Sequence, residues 1–292
     1  MVRYAIGDLL TPSDVARLLS EYGLAPRKSA GQNFVVDPNT VRRIVDAAEL
    51  SPADTVVEIG PGLGSLTLGL ADRVARVIAV EIDAGFVAAL AEVLRGRDNV
   101  EVVHADALRV DLGALSGGER VRVVANLPYN IATPLVFHAL AHEVVDDLFV
   151  MVQREVGERW AAAPGDPRYS GVSLKLALVA EVSLVLTIPR TVFHPVPNVD
   201  SVMVRLRRRP DAPEARDRDR LAGLIDTAFA QRRKTLRNTL RPAASPDRLQ
   251  AAADAAGVDL GARAETLTVA DVRRLDAALV DGCPDDVLDD PS

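Results

Sequence analysis

Cysteine is all but missing. The 292-residue chain has one, Cys283, so no disulfide framework can form within it. Aromatic side chains make up 4%, which leaves Val, Leu, Ile and Ala to fill the interior. The apolar share of 48% is ample for that, and the length suits a domain of ordinary size plus a smaller second one. No stretch approaches the roughly 20 uncharged apolar residues of a membrane span. The opening MVRYAIGDLL carries Arg3 and Asp8 and lacks a signal-peptide core. A soluble, cytoplasmic, monomeric protein with no membrane partner is expected. Lysine is scarce as well, with only Lys28, Lys175 and Lys234 among 34 basic residues; arginine serves phosphate well in its place.

The net charge of −7 argues against a nucleic-acid partner only until its distribution is read. Residues 205–241 carry twelve basic and five acidic side chains, a local +7. Residues 242–292 carry four basic and eleven acidic, a local −7, and the first 204 residues supply the rest. Screening confines each patch's field to about 8–10 Å, so a basic band between acidic stretches still attracts phosphate.

Apolar β-branched runs alternate with helical patterns through the first half, the signature of a parallel sheet covered by helices. Strands are expected at Thr55–Ile59, Arg76–Glu81, Val100–His104, Val121–Ala125 and Leu148–Val152, with helices such as Val41–Leu50 and Asp83–Leu94 between them. Two later runs, Val179–Leu186 and Ser201–Leu206, have no long helix between them and suggest an antiparallel pair finishing the sheet. After Arg207 the charged, proline-containing RRRPDAPEARDRDR reads as a linker. Helical patterns follow at Leu221–Leu240, Asp247–Ala256 and Val269–Leu279, the last capped by Thr268 with Asp271. The expected division is a catalytic domain over 1–207, a small all-α domain over 208–280, and an acidic disordered tail over 281–292.

The segment VVEIGPGLGSLTLGL runs from strand through glycine-rich turn into helix. Gly60, Gly62 and Gly64 allow a tight turn and close approach of a ligand at a helix N-terminus. A dinucleotide-binding enzyme uses a similar turn, and a plain tight turn fits equally. IAVEID places Glu81 at the end of the second strand, where a carboxylate accepts both hydroxyls of a ribose. HADAL puts Asp106 after the third, positioned either to accept from an adenine amino group or to cap a turn.

The fourth strand ends in ANLPYN. Taken bare, such a turn is usually structural. In register after the turns above, it matches the catalytic motif of methyltransferases acting on exocyclic amino nitrogens. That nitrogen's lone pair is delocalised into the ring. If the Asn126 side-chain oxygen and a backbone carbonyl near Pro128 accept its two hydrogens, the nitrogen becomes more tetrahedral and its lone pair can attack. Tyr129 offers a face on which a flipped base can stack. Positioning does most of the work and no metal is required.

With these residues the chain resembles the small-subunit (16S) ribosomal RNA adenine dimethyltransferase family over nearly its whole length. The matching phrases are GQNFVVD (Gly31–Asp37), VVEIGPGLGSLT, AVEID, HADAL, ANLPYNIATPL, QREVGER, FHPVPNVDSVMVRL, FAQRRKTLRNTL and RAETLTVADVRRL, in the family's order. Val35 and Trp160 depart mildly from its pattern. The resemblance implies a Rossmann-like class I methyltransferase sheet with helices on both faces plus a small all-α C-terminal domain. It implies S-adenosyl-L-methionine as cofactor and, as substrate, two adjacent adenosines in a hairpin loop near the 3′ end of that RNA, within a pre-ribosomal subunit. It makes Asn33, Val35, Gly60, Gly62, Glu81, Asp106 and Asn126 the cofactor site. Asn126, Pro128, Tyr129 and Phe193 become the catalytic set, with Phe193 packing on the base opposite Tyr129; a strand-edge core role is the ordinary reading of Phe193.

Arg233, Lys234, Arg237 and Arg241 recur along the expected helix Leu221–Leu240 as a basic ridge. A solvated face is the ordinary explanation; the local charge and the resemblance favour phosphate contact. Arg27 and Lys28 are weaker candidates. His138 and His142 have a spacing that can hold a metal, but no HExxH pattern accompanies them and a helical pair is expected. Three other functions compete: a large-subunit (23S) adenine dimethyltransferase of the antibiotic-resistance type, an NAD-dependent dehydrogenase, and an assembly factor for which binding matters more than catalysis.

Overall fold

The computed structural model describes residues 4–26 and 32–281. Arg27, Lys28, Gly31, Cys283 and the acidic tail beyond Asp281 lie outside the described residues. Contacts divide the chain into two compact units: residues 1–158 with 181–209, and residues 159–180 with 210–292.

The first unit opens with a helix that the periodicity argument did not reach, α1 (Pro12–Glu21). Its start signal was nonetheless present: Thr11 and Asp14 form a capping box, with Pro12 at the first helical position. A short strand β1 (Phe34–Val35) precedes α2 (Pro38–Ala47), which Asp37 caps by accepting from the Thr40 N–H at 2.8 Å. Then come β2 (Thr55–Ile59), α3 (Ser65–Ala71), β3 (Arg76–Glu81), α4 (Ala84–Val93), β4 (Val100–His104), α5 (Leu112–Ser116), β5 (Val121–Asn126), α6 (Ala132–Ala141) and β6 (Val145–Gln153). The helix α7 (Arg154–Trp160) carries the chain from the first unit into the second. After α8 (Gly171–Val179) come β7 (Ala180–Ile188), the two-residue β8 (Phe193–His194), which pairs with β1 in a small separate sheet, and β9 (Ser201–Arg208).

Seven strands form one sheet in the order β4-β3-β2-β5-β6-β9-β7, with helices on both faces. The pairs β2–β3, β3–β4, β2–β5 and β5–β6 are parallel, and β9 lies antiparallel to β6. The two late runs therefore do finish the sheet as neighbours, although Val179 closes α8 and does not open β7. Central strands buried on both faces read as continuous Val/Ile runs, which is why their ends were legible. Polar staples join helix to sheet at the other end of the strands. Arg205 on β9 is 6% exposed and donates to the Ala47 and Ala48 carbonyls at 2.8 Å each. Arg122 on β5 donates to Ala48 and Glu49 carbonyls at 2.7 and 2.8 Å. These cations meet the orphan carbonyls that end α2.

The second unit contains α8 together with α9 (Ala215–Phe229), α10 (Leu236–Thr239), α11 (Pro246–Ala256) and α12 (Val269–Asp281). Residues 159–180, which a boundary at 207 assigned to the first domain, pack with these helices. Tyr169 Oη donates to the Leu267 carbonyl at 2.7 Å, its ring stands edge-on to Phe229, and Lys175 pairs with Asp226 at 2.7 Å. Arg220 grips Asp276 with a fork at 2.7–3.0 Å. The capping box at Thr268 and Asp271 is present.

The single helix expected over Leu221–Leu240 is corrected by the structure: α9 stops at Phe229 and α10 is a separate short turn. The backbone donors that would have continued α9 go elsewhere. Leu236 N–H reaches the Ala262 carbonyl at 2.8 Å and Arg237 N–H the Leu260 carbonyl at 2.9 Å, beside a bridge between Thr235 and Arg263. A donor taken by a distant strand segment cannot serve the carbonyl four residues back. Arg233 and Lys234 therefore stand on the connecting turn and Arg237 on α10, all exposed like Arg241, with no shared helical ridge.

Candidate active site

The strand order reverses between β2 and β5, because β2 leads to β3 and β4 while β5 leads to β6. In an open parallel sheet that reversal leaves a crevice beyond the carboxyl ends of the two strands. Gly60 follows β2 and Asn126 ends β5, so the two segments singled out by sequence face one another there.

The crevice is a cavity lined by the glycine turn, the ends of β3, β4 and β5, and the segment Gln32–Val35. Gly60 and Gly62 both have positive φ, +68° and +58°, where side chains are strained. A Cβ on Gly62 would also lie 2.6 Å from Cε1 of Phe34, so the ring of Phe34 occupies the space that a side chain would need. Phe34 in turn packs against Phe86 with ring centroids 5.4 Å apart. Across the cavity, Pro128 lies 3.9 Å from the position of a Gly60 Cβ.

Glu81 is 5% exposed and accepts three backbone N–H groups, from Gly62 at 3.0 Å and from Ile82 and Asp83 at 2.9 Å each. Burial pushes its carboxyl above the usual range, and these three donors oppose that shift. Its carboxylate thus ties the glycine turn to the end of β3 and keeps acceptor capacity to spare. Asp106 lines the cavity and also accepts from the Leu108 N–H at 3.0 Å, so it combines a turn-capping role with a place on the wall.

At the opposite wall Asn126 Nδ2 donates to the Asn33 carbonyl at 2.7 Å. A carbonyl can only accept, which fixes which end of the amide is oxygen. The Pro128 carbonyl accepts from the Ile131 N–H at 3.1 Å, and its second lone pair remains. Val35 is 4% exposed and lines the cavity. Tyr129 and Phe193 are not among the lining residues. Tyr129 is half-buried with its hydroxyl 2.6 Å from Ser201 Oγ, and burial pushes its phenol above the usual range, favouring the neutral form. Phe193 is 2% exposed and pairs with Val35 in the β1–β8 ladder, so it stands in the core.

Sequence reasoning gave no role to Glu58, Phe34, Ile82 or Phe86, all of which line the cavity. Glu58 and Phe34 lie inside VVEIGPG and GQNFVVD, but no local pattern says that they turn to the same hollow. Elsewhere, His138 Nε2 lies 2.9 Å from the Val110 carbonyl and His142 Nδ1 3.6 Å from Asp111. Among the described residues no group of three or more His, Cys, Asp or Glu side chains could hold a metal ion, and no helix is long and apolar enough to cross a membrane.

Comparison with known proteins adds the decisive observation. The model of the family described as "Ribosomal RNA adenine dimethylase" matches residues 23–279. The chain belongs to the ribosomal RNA adenine dimethylase family. Among its relatives is a protein named Ribosomal RNA small subunit methyltransferase A from Thermobifida fusca, 50% identical over 91% of this chain and 95% of its own length. Another of the same name from Moorella thermoacetica is 47% identical over 88% and 93%. Among solved structures, the 23S rRNA methyltransferase ErmE superposes with a TM-score of 0.66 at 32% identity, covering 85% of this chain and 99% of its own. A dimethyladenosine transferase from Plasmodium falciparum reaches the same TM-score at 24% identity, a likeness of fold. In this dimethylase the fold is therefore the Rossmann-like methyltransferase sheet with a C-terminal helical region.

Proposed function

We propose that this dimethylase transfers methyl groups from S-adenosyl-L-methionine to the exocyclic amino groups of two adjacent adenosines near the 3′ end of small-subunit ribosomal RNA. The observation that carries the chemistry is the Asn126 amide, held by Asn33 on the wall of an acidic cavity. Its lining includes Glu58, Glu81 and Asp106 and, among the described residues, no lysine, arginine or histidine. Such a donor set fits a cofactor with a cationic end and polar hydroxyl and amino groups. Bound there, S-adenosyl-L-methionine supplies an electrophilic methyl group.

The chain's own residues do the rest. Gly60 and Gly62 let the turn come close, Glu81 accepts from the ribose, Asp106 accepts from the adenine amino group, and Asn33 with Val35 closes the wall. Asn126 Oδ1 and the free lone pair of the Pro128 carbonyl accept the two hydrogens of the target amine. This draws its lone pair out of conjugation and aims it at the methyl carbon. Tyr129 provides the stacking face. Phe193 supports β1 from the core, with stacking on the base as its second part. Arg233, Lys234, Arg237 and Arg241 contact phosphates. The substrate is the RNA of a pre-ribosomal small subunit, the working form is a monomer, and the site of action is the cytoplasm.

The small-subunit target is favoured over the large-subunit one by the names of relatives at 47–50% identity, against 32% for the 23S enzyme. Mass spectrometry of ribosomal RNA from cells lacking this protein tests the assignment. Loss of dimethyladenosine from small-subunit RNA is expected; its loss from large-subunit RNA alone would transfer the assignment to the 23S type. No loss from either would leave binding, as an assembly factor, as the function.

A further inference from the structure

Two of the three carboxyl groups in the cavity have parts in the proposed function, Glu81 at the ribose and Asp106 at the adenine. Glu58 on β2 has none, although it is 2% exposed and lines the same hollow. Its Oε2 has no hydrogen-bond partner, and the hydroxyl of Ser65, also on the wall and 6% exposed, is likewise unpartnered. Unmet polar atoms inside a protein are destabilising and call for a specific reason. A ligand that completes them is such a reason, and these two atoms adjoin a ligand cavity.

The surroundings fix the state of this acid. From β3 it faces Glu81, whose negative charge opposes a second one; from α3 it faces the neutral hydroxyls of Thr67 and Ser65. The register puts uncharged Ala79 alongside it on the flanking strand β3, and on β5 the last paired residue, opposite neighbouring Val57, is the uncharged Val123. No cation among the described lining residues is available to it. Burial, opposed by Thr67 and reinforced by Glu81, pushes the Glu58 carboxyl up to about 8.

We propose that Glu58 stands as a neutral acid in the free protein, and that it loses its proton to solvent when the cationic cofactor enters and becomes the counter-charge to its positively charged methionyl end. The inference rests on the cofactor proposed above. The step is a simple ionisation: the carboxyl O–H bond breaks, the proton goes to the buffer, and the carboxylate remains opposite the incoming positive charge. An isolated carboxylate here would be too poorly solvated, whereas a paired one is not. Placing the counter-charge on a group that is neutral beforehand avoids two adjacent carboxylates in the free protein. It also favours a cation over a neutral analogue of the same shape.

Isothermal titration calorimetry with S-adenosyl-L-methionine, in two buffers of different ionisation heat at each pH (phosphate and imidazole at the lower, glycine and carbonate at the higher), reads proton release from the dependence of the heat on buffer ionisation. The protein and its Glu58→Gln variant are compared at pH 6.5 and pH 9.5. At pH 6.5 the parent is expected to release close to one proton more than the variant. At pH 9.5, where Glu58 is already ionised, the difference should vanish. The cofactor's own α-amino group titrates at about 7.7–8.0, so at pH 6.5 it is protonated before and after binding and adds no release in either protein; at pH 9.5 it can only take up a proton, which does not imitate release. Glu81→Gln should retain the release. Equal release by parent and Glu58→Gln, with binding intact, overturns the proposal. If the variant does not fold, the parent decides at pH 6.5, where the cofactor amine is protonated before and after binding, and no release there overturns it. Absence of binding by the parent is a different result: it overturns the cofactor assignment, and this inference falls with it.

Discussion

Asn126 donates from Nδ2 to the backbone carbonyl of Asn33, 93 residues earlier, across 2.7 Å. The bond leaves Oδ1 as the amide's acceptor on a residue that lines the cavity, which is the polarity required to take a hydrogen from an amino group. The orientation is thus set by the backbone of the segment entering β1, a different wall of the site.

Asn126→Ala removes that acceptor. Methyl transfer is expected to fall by about 10²–10³-fold, the range seen when one preorganised hydrogen-bonding group is removed from an active site. RNA affinity should stay within a few-fold, since the basic cluster is untouched. Single-turnover methylation measured beside RNA filter binding checks both. Near-parental methylation would remove Asn126 from the mechanism.

Glu81→Ala should weaken S-adenosyl-L-methionine binding by roughly 10- to 150-fold, equivalent to about 1.5–3 kcal/mol for hydrogen bonds to a charged group. The structure adds a second consequence. Gly62, Ile82 and Asp83 lose the acceptor of their N–H groups, so the melting temperature should fall as well. Calorimetry with a melting curve separates the two effects. Unchanged affinity would show that Glu81 does not hold the ribose.

The buried acid Glu58 makes the free protein's stability depend on pH. Its folded-state value, about 8, lies above the ordinary 4.5, so between those values the folded state holds a proton that the unfolded state has lost. Stability is therefore full below about pH 4.5 and declines as pH rises toward about 8, by an order of a few kcal/mol. Glu58→Gln should flatten this decline. Urea unfolding at pH 5, 6.5 and 8 measures it, and parallel curves for the two proteins would count against a buried neutral acid.

Replacing Arg233 and Arg237 together with Gln should lower RNA affinity and reduce the log–log salt slope by about one unit for each phosphate that is no longer neutralised. Cofactor affinity should not change, because these residues belong to the second unit and the cavity to the first. If the cluster is only a solvated face, the folded double variant will bind RNA with the parent's affinity and slope.

Local chemistry alone sufficed for a great deal. The strands β2 and β3 follow their Val/Ile runs closely, because a strand buried on both faces tolerates few polar residues, while β4, at the sheet's edge and only partly buried, is marked by its valines alone. The turns after β2, β3, β4 and β5 were legible because each special residue is fixed by its own backbone: glycine at positive φ, a carboxylate at a strand end, ANLPYN after β5. Tertiary structure decided what depends on partners far along the chain. Residues 221–240 have helical periodicity, yet donors at 236 and 237 are drawn to carbonyls at 262 and 260. Residues 159–180 precede β8 and β9 and lead into β7 in sequence, but pack with the C-terminal helices through Tyr169 and Lys175. Phe193 is aromatic in any reading, but pairing beside Val35 places it in the core. Glu58 is one more acid in a strand until burial and the nearby Glu81 keep it neutral. Local patterns specify which conformation and which chemical groups a segment offers; hydrogen-bond competition, burial and charge pairing specify their use, and those arise only when distant segments meet.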